Sequence, residues 1–241
     1  TDKMSEELWS KSMACGSEGM KQLRDGDVVC ATALSAMRGV LDRLWHCVLI
    51  DEAALATEPA TLVALCHGAK RAVLVGDHQQ MPPTVSHAGC KVGLHVSLFE
   101  RLLRAGCPST FLNTQYRMHP ELSCFPMSFY LEKLHNGSST FSRQIPSGRL
   151  WPNRTVPVCV VHVDAQEESE GSSVKNYGEA EAVRALLQDS EDIIGVPLSK
   201  KSIAVITTYS GQVALLRDCT GGKVDAYTID KSQGQERDVI I

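Results

Sequence analysis

Two carboxylates stand directly after an apolar run at Val48-Leu49-Ile50-Asp51-Glu52. A second apolar run, Ala72 to Val75, leads into Gly76-Asp77-His78-Gln79-Gln80-Met81-Pro82-Pro83, and later comes Gln115-Tyr116-Arg117-Met118-His119-Pro120. In that order they are the parts of a phosphoryl-transfer site around a Mg²⁺-bound triphosphate: neighbouring carboxylates, a polar glutamine and a later guanidinium. Each also has a plain structural reading. Asp-Glu after a strand is common, Gln80 can cap a turn closed by Pro82 and Pro83, and Arg117 can sit in a surface salt bridge. Thr32 and the Thr207-Thr208 pair can satisfy local backbone groups. These readings leave unexplained why every polar cluster falls at the end of an apolar run in one consistent order.

The elements that must hold these residues are legible as strand-like runs at Val28 to Ala31, Cys47 to Ile50, Ala72 to Val75, Phe111 to Leu112, Val156 to Val163, Ile203 to Ile206 and Val239 to Ile241. Between them, Val96 to Arg104 and Tyr177 to Gln188 carry apolar residues at three- and four-residue spacing, the period of an amphipathic helix. Pro120 is expected early in a helix that the Gln115 to Pro120 segment opens. Near-continuous apolar strands alternating with helices predict an α/β fold with a parallel sheet covered on both faces. Ligands of such sheets gather at the carboxyl ends of strands, where Asp51, Glu52, Asp77 and Gln80 fall. The Ser-, Pro- and Gly-rich stretch from Asn136 to Pro157 and the polar stretch from Gln166 to Asn176 read as loops, the second with a solvated acidic tip.

With 241 residues, 43% hydrophobic and 22% charged, the chain is of ordinary globular composition and long enough for one large or two medium domains. A formal net charge of -4 excludes a general basic coat, while a local groove can still hold nucleic acid. No run reaches the roughly 18 apolar residues of a membrane span, and no signal-peptide plan opens the chain, so a cytoplasmic or nuclear protein without membrane contact is expected. Nine cysteines contain no C-x-x-C pair; spread evenly, they read as reduced buried thiols acting as small hydrophobes rather than as zinc ligands or disulfides. The opening Thr1 and the closing β-branched run Val239 to Ile241 suggest a piece of a longer chain.

Asp51-Glu52, Gly76 to Pro83, Gln115 to Pro120, Ile206-Thr207-Thr208-Tyr209-Ser210-Gly211-Gln212 and Asp230-Lys231-Ser232-Gln233-Gly234-Gln235-Glu236-Arg237-Asp238 resemble, in order, the motifs of the superfamily 1 helicases. The likeness is strongest to the nonsense-mediated mRNA decay type, the regulators of nonsense transcripts, which Gly93 to Leu102 and Ser123 to Pro126 also resemble. Gln79 to Pro83 and Thr228 to Lys231 are similar to the replication helicase-nuclease as well, so RNA and DNA both stay open. The resemblance implies a P-loop NTPase fold of two RecA-like three-layer αβα lobes: residues 1–108 the C-terminal part of the first, residues 109–241 a second lobe truncated at its C-terminal end. It implies ATP and Mg²⁺ in the cleft and single-stranded RNA or DNA across both lobes, moved 5'-to-3', with mRNA-decay or replication proteins as partners.

The same resemblance assigns residues. Asp51 would hold Mg²⁺ through water, Glu52 would orient and deprotonate the attacking water, Gln80 would sense the γ-phosphate and Arg117 would act as an arginine finger. Tyr116 would stack on adenine, Gly234 would offer an amide to phosphate, and Gln233 and Glu236 would lie near the nucleotide and its ribose. Thr32, Thr207, Thr208 and Thr228 match the positions that hold nucleic-acid phosphates and sugars. The chain also departs from the family. It contains no Gly-Lys-Ser or Gly-Lys-Thr phosphate loop, which is expected before Thr1, and the last motif, with its second catalytic arginine, is expected after Ile241. Leu55, Thr208, Ser232 and Gln235 stand where the family commonly has Gln, Pro, an aromatic and Arg. The chain alone is therefore expected to be inactive in ATP hydrolysis. A competing expectation is an inactive, helicase-derived nucleic-acid-binding scaffold.

Overall fold

The computed structural model describes residues 21, 25–37, 44–131 and 133–241. Two compact units divide the chain, Thr1–Thr110 and Phe111–Ile241. Both are α/β in character.

In the first unit, β1 (Cys47–Ile50) and β2 (Arg71–Leu74) run parallel, Cys47 opposite Arg71 and Ile50 opposite Leu74. A parallel pair needs a crossover, and α1 (Glu58–Leu65) lies within it, with a proline in its first turn and Glu58 at its positive end. Ser86 and Ser97 cap α2 (His87–Lys91) and α3 (Leu98–Arg104) by accepting the amides of Gly89 and Glu100. Arg101 of α3 donates from Nε and Nη2 to the two carboxylate oxygens of Glu58, both at 2.7 Å, which joins α3 to α1. That fork holds the half-buried Glu58 carboxyl below its ordinary value.

The second unit pairs β3 (Thr114–Gln115) in parallel with β4 (His135–Asn136), with α4 (Pro120–Phe129) between them in sequence. A hairpin follows, β5 (Glu168–Glu170) against β6 (Ser173–Lys175), turning through Gly171 at φ 60°. Next come α5 (Tyr177–Gln188), α6 (Ser190–Ile193), β7 (Ile203–Thr207), α7 (Ser210–Cys219), β8 (Asp225–Thr228), α8 (Ile229–Ser232) and β9 (Val239–Ile240). β7, β8 and β9 form a parallel sheet in the order β8-β7-β9. Its core joins Ile203 and Val205 of β7 with Ala226, Val239, Leu187, Val213, Leu216 and Ile194.

Packing explains two details of this unit. Asn176 and Gln212 form a buried amide clamp: the Asn176 amide donates to Gln212 Oε1 at 2.7 Å, and Gln212 Nε2 returns a bond to the Asn176 carbonyl. The Asn176 side chain meanwhile caps α5 by accepting the Glu179 amide, so one pair fixes both α5 and α7. Gly148 and Gly195 meet backbone to backbone; a Cβ on Gly148 would fall 2.2 Å from the Ile194 carbonyl carbon. Trp151 closes that junction by donating its indole N–H to the Ile194 carbonyl at 2.7 Å.

Several expectations are corrected. Val28 to Ala31 is irregular, and Thr32 leads into a 3-10 helix (Ala33–Met37) instead of ending a strand. The Phe111 to Leu112 strand lies later, at Thr114–Gln115, where His135–Asn136 supplies the ladder. Val156 to Val163 forms no ladder, and Val158, Val160 and Val161 are exposed. The β1–β2 sheet is open to water at Leu49 and Val73, so the two-sided cover expected of it does not hold there. The cysteines are not buried: Cys30, Cys47, Cys66, Cys90, Cys107 and Cys124 are exposed, Cys159 and Cys219 half-buried, and Cys15 lies outside the described residues. The Gln166 to Asn176 loop contains the β5–β6 hairpin. Among the described residues no helix is long and apolar enough to cross a membrane, and no cluster of three or more His, Cys, Asp or Glu could hold a metal ion.

Candidate functional site

In the first unit, three backbone links extend the β1–β2 pair into its polar ends. The Val75 amide donates to the Ile50 carbonyl at 2.9 Å and the Ala53 amide to the Val75 carbonyl at 2.8 Å. Gly76 then passes so close to the Ala53–Ala54 backbone that a Cβ on it would lie 2.9 Å from the Ala54 nitrogen. These contacts bring Asp51-Glu52 and Asp77 to Gln80 to the same end of the sheet. Asp51 accepts the Glu52 amide on Oδ1 at 2.9 Å. Glu52 holds φ 50°, a left-handed conformation that a residue with a Cβ adopts at a cost. Asp77 organises the glutamines, accepting the Gln79 amide on Oδ1 and Gln80 Nε2 on Oδ2, both at 2.9 Å. Asp51, Glu52 and Gln80 are all exposed. Thr32, in the same unit, donates its hydroxyl to Ser35 Oγ at 2.8 Å.

In the second unit, the Gln115 side chain ties the loop that follows it. Its Oε1 accepts the Arg117 and Met118 amides at 2.9 and 2.7 Å, while Nε2 donates to the Met118 carbonyl at 3.0 Å and to Asn136 Oδ1. Asn136 Oδ1 also accepts the Ser123 hydroxyl at 2.8 Å. β3, β4 and α4 thus fix Tyr116 and Arg117 through one half-buried amide. The Tyr116 ring lies on Gly137, where no side chain intervenes. A cavity of about 410 Å³ is lined by Gln115, Tyr116, Arg117, Met118 and Glu236. Arg117 Nε donates to Glu236 Oε2 at 3.2 Å, so the two plain alternatives for this arginine, phosphate ligand and salt-bridge partner, concern one and the same position.

Glu236 is reached through Thr228, α8, Gln233 and Gly234, which turns at φ 75°. Arg237 closes this excursion back onto β8, with Nη2 at 3.2 Å from Asp225 Oδ2 and 3.4 Å from the Tyr227 hydroxyl. Burial pushes the Asp225 carboxyl up, but hydrogen bonds from Tyr227 and Arg237 and the charge of Lys200 outweigh it and leave it below its ordinary value. Burial pushes the Tyr227 phenol up. Thr207 and Thr228 are direct register partners at the carboxyl ends of β7 and β8, with Thr208 exposed next to them. The β5–β6 hairpin abuts this edge, since the Gly211 amide donates to Ser173 Oγ at 2.8 Å.

Of the residues singled out from sequence, the structure places Asp51, Glu52 and Gln80 at one sheet end, Tyr116, Arg117 and Glu236 at one cavity, and Thr207 with Thr228 on neighbouring strands. Sequence reasoning missed the bracing by Gln115, Gly137 and Arg237. A polar side chain closing a strand just before the Pro120 helix start is the signal that Gln115 offered.

An AAA-domain family model matches residues 94–241, more than half of the chain, and a second, also described as an AAA domain, matches residues 2–88. The chain belongs to the AAA-domain family. Over 91% of its length this AAA-domain chain is 35% identical to the regulator of nonsense transcripts 1 homolog of Drosophila melanogaster, and 36% identical to the ATP-dependent helicase NAM7 of Saccharomyces cerevisiae. It is also 36% identical, again over 91% of its length, to the probable helicase MAGATAMA 3 of Arabidopsis thaliana. The chain spans 20%, 24% and 29% of these three relatives. The resemblance to superfamily 1 helicases of the nonsense-mediated decay type therefore holds for this AAA-domain chain, and with it a P-loop NTPase α/β fold.

Proposed function

We propose that the chain supplies the ATP-hydrolysing and strand-gripping residues of an ATP-dependent helicase that translocates on single-stranded RNA or DNA, in the 5'-to-3' sense and in the cytoplasm. The observation that carries this reading is the joining of Asp51-Glu52 to Asp77–Gln80 through the backbone bonds at Val75 and Ala53. Hard, exposed carboxylate oxygens suit Mg²⁺, so Asp51 would hold the ion through water. Bound there, the metal supplies charge neutralisation for the triphosphate. Glu52 takes the proton of the attacking water, and Gln80, set by Asp77, answers to the γ-phosphate. From the second unit Arg117 neutralises phosphoryl charge, Tyr116 stacks on adenine, Gln233 and Glu236 face the nucleotide and its ribose, and the Gly234 amide takes a phosphate. Thr32, Thr207, Thr208 and Thr228 hold strand phosphates and sugars, a sequence-independent grip that suits stepwise movement. Each unit is read as a RecA-like lobe; partners in mRNA decay fit the relatives named for nonsense transcripts, with replication proteins as the alternative.

The test is phosphate release from ATP, with and without poly(U) or poly(dT), by a polypeptide that joins these residues to a Gly-Lys-Thr phosphate loop. Strand-stimulated turnover that an Asp51→Ala variant lacks is the expected result. Strand binding that neither ATP nor Asp51→Ala affects would favour the inactive scaffold.

A further inference from the structure

Arg143 lies in the Ser- and Pro-rich stretch after the 3-10 helix (Ser138–Ser142) and belongs to no recognisable motif. Its Nη2 donates to the Tyr116 carbonyl at 3.0 Å and stands 4.0 Å from Glu236 Oε1. The other oxygen of the same carboxylate takes Arg117 Nε at 3.2 Å. Two guanidiniums thus converge on one carboxylate, each facing a different oxygen. Both are fixed at their backbones, Arg117 by the Gln115 bracket on its amide and Arg143 by its amide's bond to the Thr140 carbonyl at 3.2 Å, while the Tyr116 carbonyl orients the Arg143 guanidinium.

A planar guanidinium pair around a small two-oxygen anion matches phosphate as readily as carboxylate. All three side chains are more than two-fifths exposed, so these ion pairs are weak and open to exchange. Glu236 sits two residues after Gly234, on a turn that its neighbour Arg237 anchors. Its carboxylate can leave while its mount stays.

We propose that Arg143 is a second phosphate-binding arginine of this cavity, and that Glu236 holds the place between Arg117 and Arg143 that a phosphate group of the nucleotide takes. This rests on the nucleotide reading given above and extends it to a residue outside every motif. Glu236, once displaced, is released toward the nucleotide sugar, and no bond is made or broken in the exchange.

The 241-residue chain, labelled with ¹⁵N, is titrated with sodium pyrophosphate, then ADP, then a dT oligonucleotide, following the Nε–Hε signals of Arg117 and Arg143. Pyrophosphate should move both signals together. Arg143→Ala should weaken its binding about tenfold, the scale of one charge-assisted hydrogen bond, and Arg143→Lys should recover only part. Glu236→Gln should tighten it. The Trp151 indole signal, held by Ile194, reports that each variant is folded. Unchanged pyrophosphate affinity in Arg143→Lys and Glu236→Gln overturns the proposal, as does movement of Arg117 alone or a response to the oligonucleotide only. In the polypeptide that includes a phosphate loop, ATP turnover that needs Asp51 and Arg117 while Arg143→Ala leaves pyrophosphate binding intact would remove this inference and keep the helicase reading; there, Arg143-dependent pyrophosphate binding without ATP turnover would do the reverse.

Discussion

The ring of Tyr116 rests on Gly137 so closely that a Cβ at that glycine would fall 2.2 Å from Tyr116 Cε1. The Gly137 amide also donates to the Gln115 carbonyl at 2.8 Å, which leaves the backbone no room to withdraw. Gly137→Ala must therefore displace the ring. If Tyr116 stacks on adenine, the variant should lose affinity for ADP while its affinity for pyrophosphate, which has no base, stays at the parent level. Calorimetric titration with both ligands separates the two; equal losses would take the ring out of base recognition.

Gln115 is expected to matter more for stability than its half-buried position suggests. Gln115→Ala removes the acceptor of two loop amides and the donor to Asn136 Oδ1, and at about 1 kcal/mol per net hydrogen bond the cost should be about 2–3 kcal/mol. Gln115→Glu keeps both amide bonds but turns an oxygen toward the Met118 carbonyl and Asn136 Oδ1, so it should not restore the loss. Urea unfolding of the three proteins gives the comparison.

Glu52→Gln, in a polypeptide that includes a phosphate loop, should leave ATP binding largely intact and lower strand-stimulated turnover by at least about 10²-fold, the usual contribution of a general base. Steady-state ATPase and nucleotide affinity are measured on one preparation. Turnover within about threefold of the parent, far short of a general base's contribution, would remove Glu52 from that role.

For Thr207 and Thr228, which face each other across β7 and β8, the double change to Val keeps strand-forming shape and removes both hydroxyls. Single-strand affinity should fall for poly(dA) and poly(dT) alike, because backbone contacts carry no sequence. The dependence of affinity on salt should keep its slope, since neither hydroxyl displaces a counterion. A change confined to one base composition would contradict the backbone role.

The pH dependence of unfolding should carry a contribution from Asp225. Its folded-state carboxyl is lowered, so the stabilisation is complete above the ordinary carboxylate range and is lost as pH falls through the folded value. Urea midpoints should begin to drop as pH falls toward the ordinary aspartate value of about 3.9 and keep dropping below it, and Asp225→Asn should flatten that slope while lowering stability at pH 7. A variant with the parent's slope would show that Arg237 holds the loop without this charge.

Where sequence pattern and structure agree, the determinants are local. The helix Tyr177–Gln188 matches its spacing and begins where Asn176 caps it, and Cys47–Ile50 is an apolar run ending on the carboxylates. Val156 to Val163 has the same apolar character and forms no ladder, because a strand also needs a partner that composition does not name. β8 escaped notice for the opposite reason: Asp225 and Thr228 are polar, yet parallel pairing with β7 makes Asp225–Thr228 a strand. The site divides in the same way. Asp51, Glu52, Gln80 and Arg117 announce themselves by type and order, whereas Arg143 is a lone arginine in a loop whose meaning lies entirely in what it meets.

The return of Arg237 to Asp225 and Tyr227 makes a short closed circuit out of β8, α8 and the turn through Gly234. Thr228 stands near one end of that circuit and Glu236 near the other. Gly234 is its one residue with left-handed backbone, and so its natural hinge. A circuit this small keeps the Glu236 backbone in place while its side chain swings, and leaves Gly234 as the point at which the chain can bend. Whatever exchanges places with the Glu236 carboxylate thereby meets a frame that Arg237 has already pinned to the sheet.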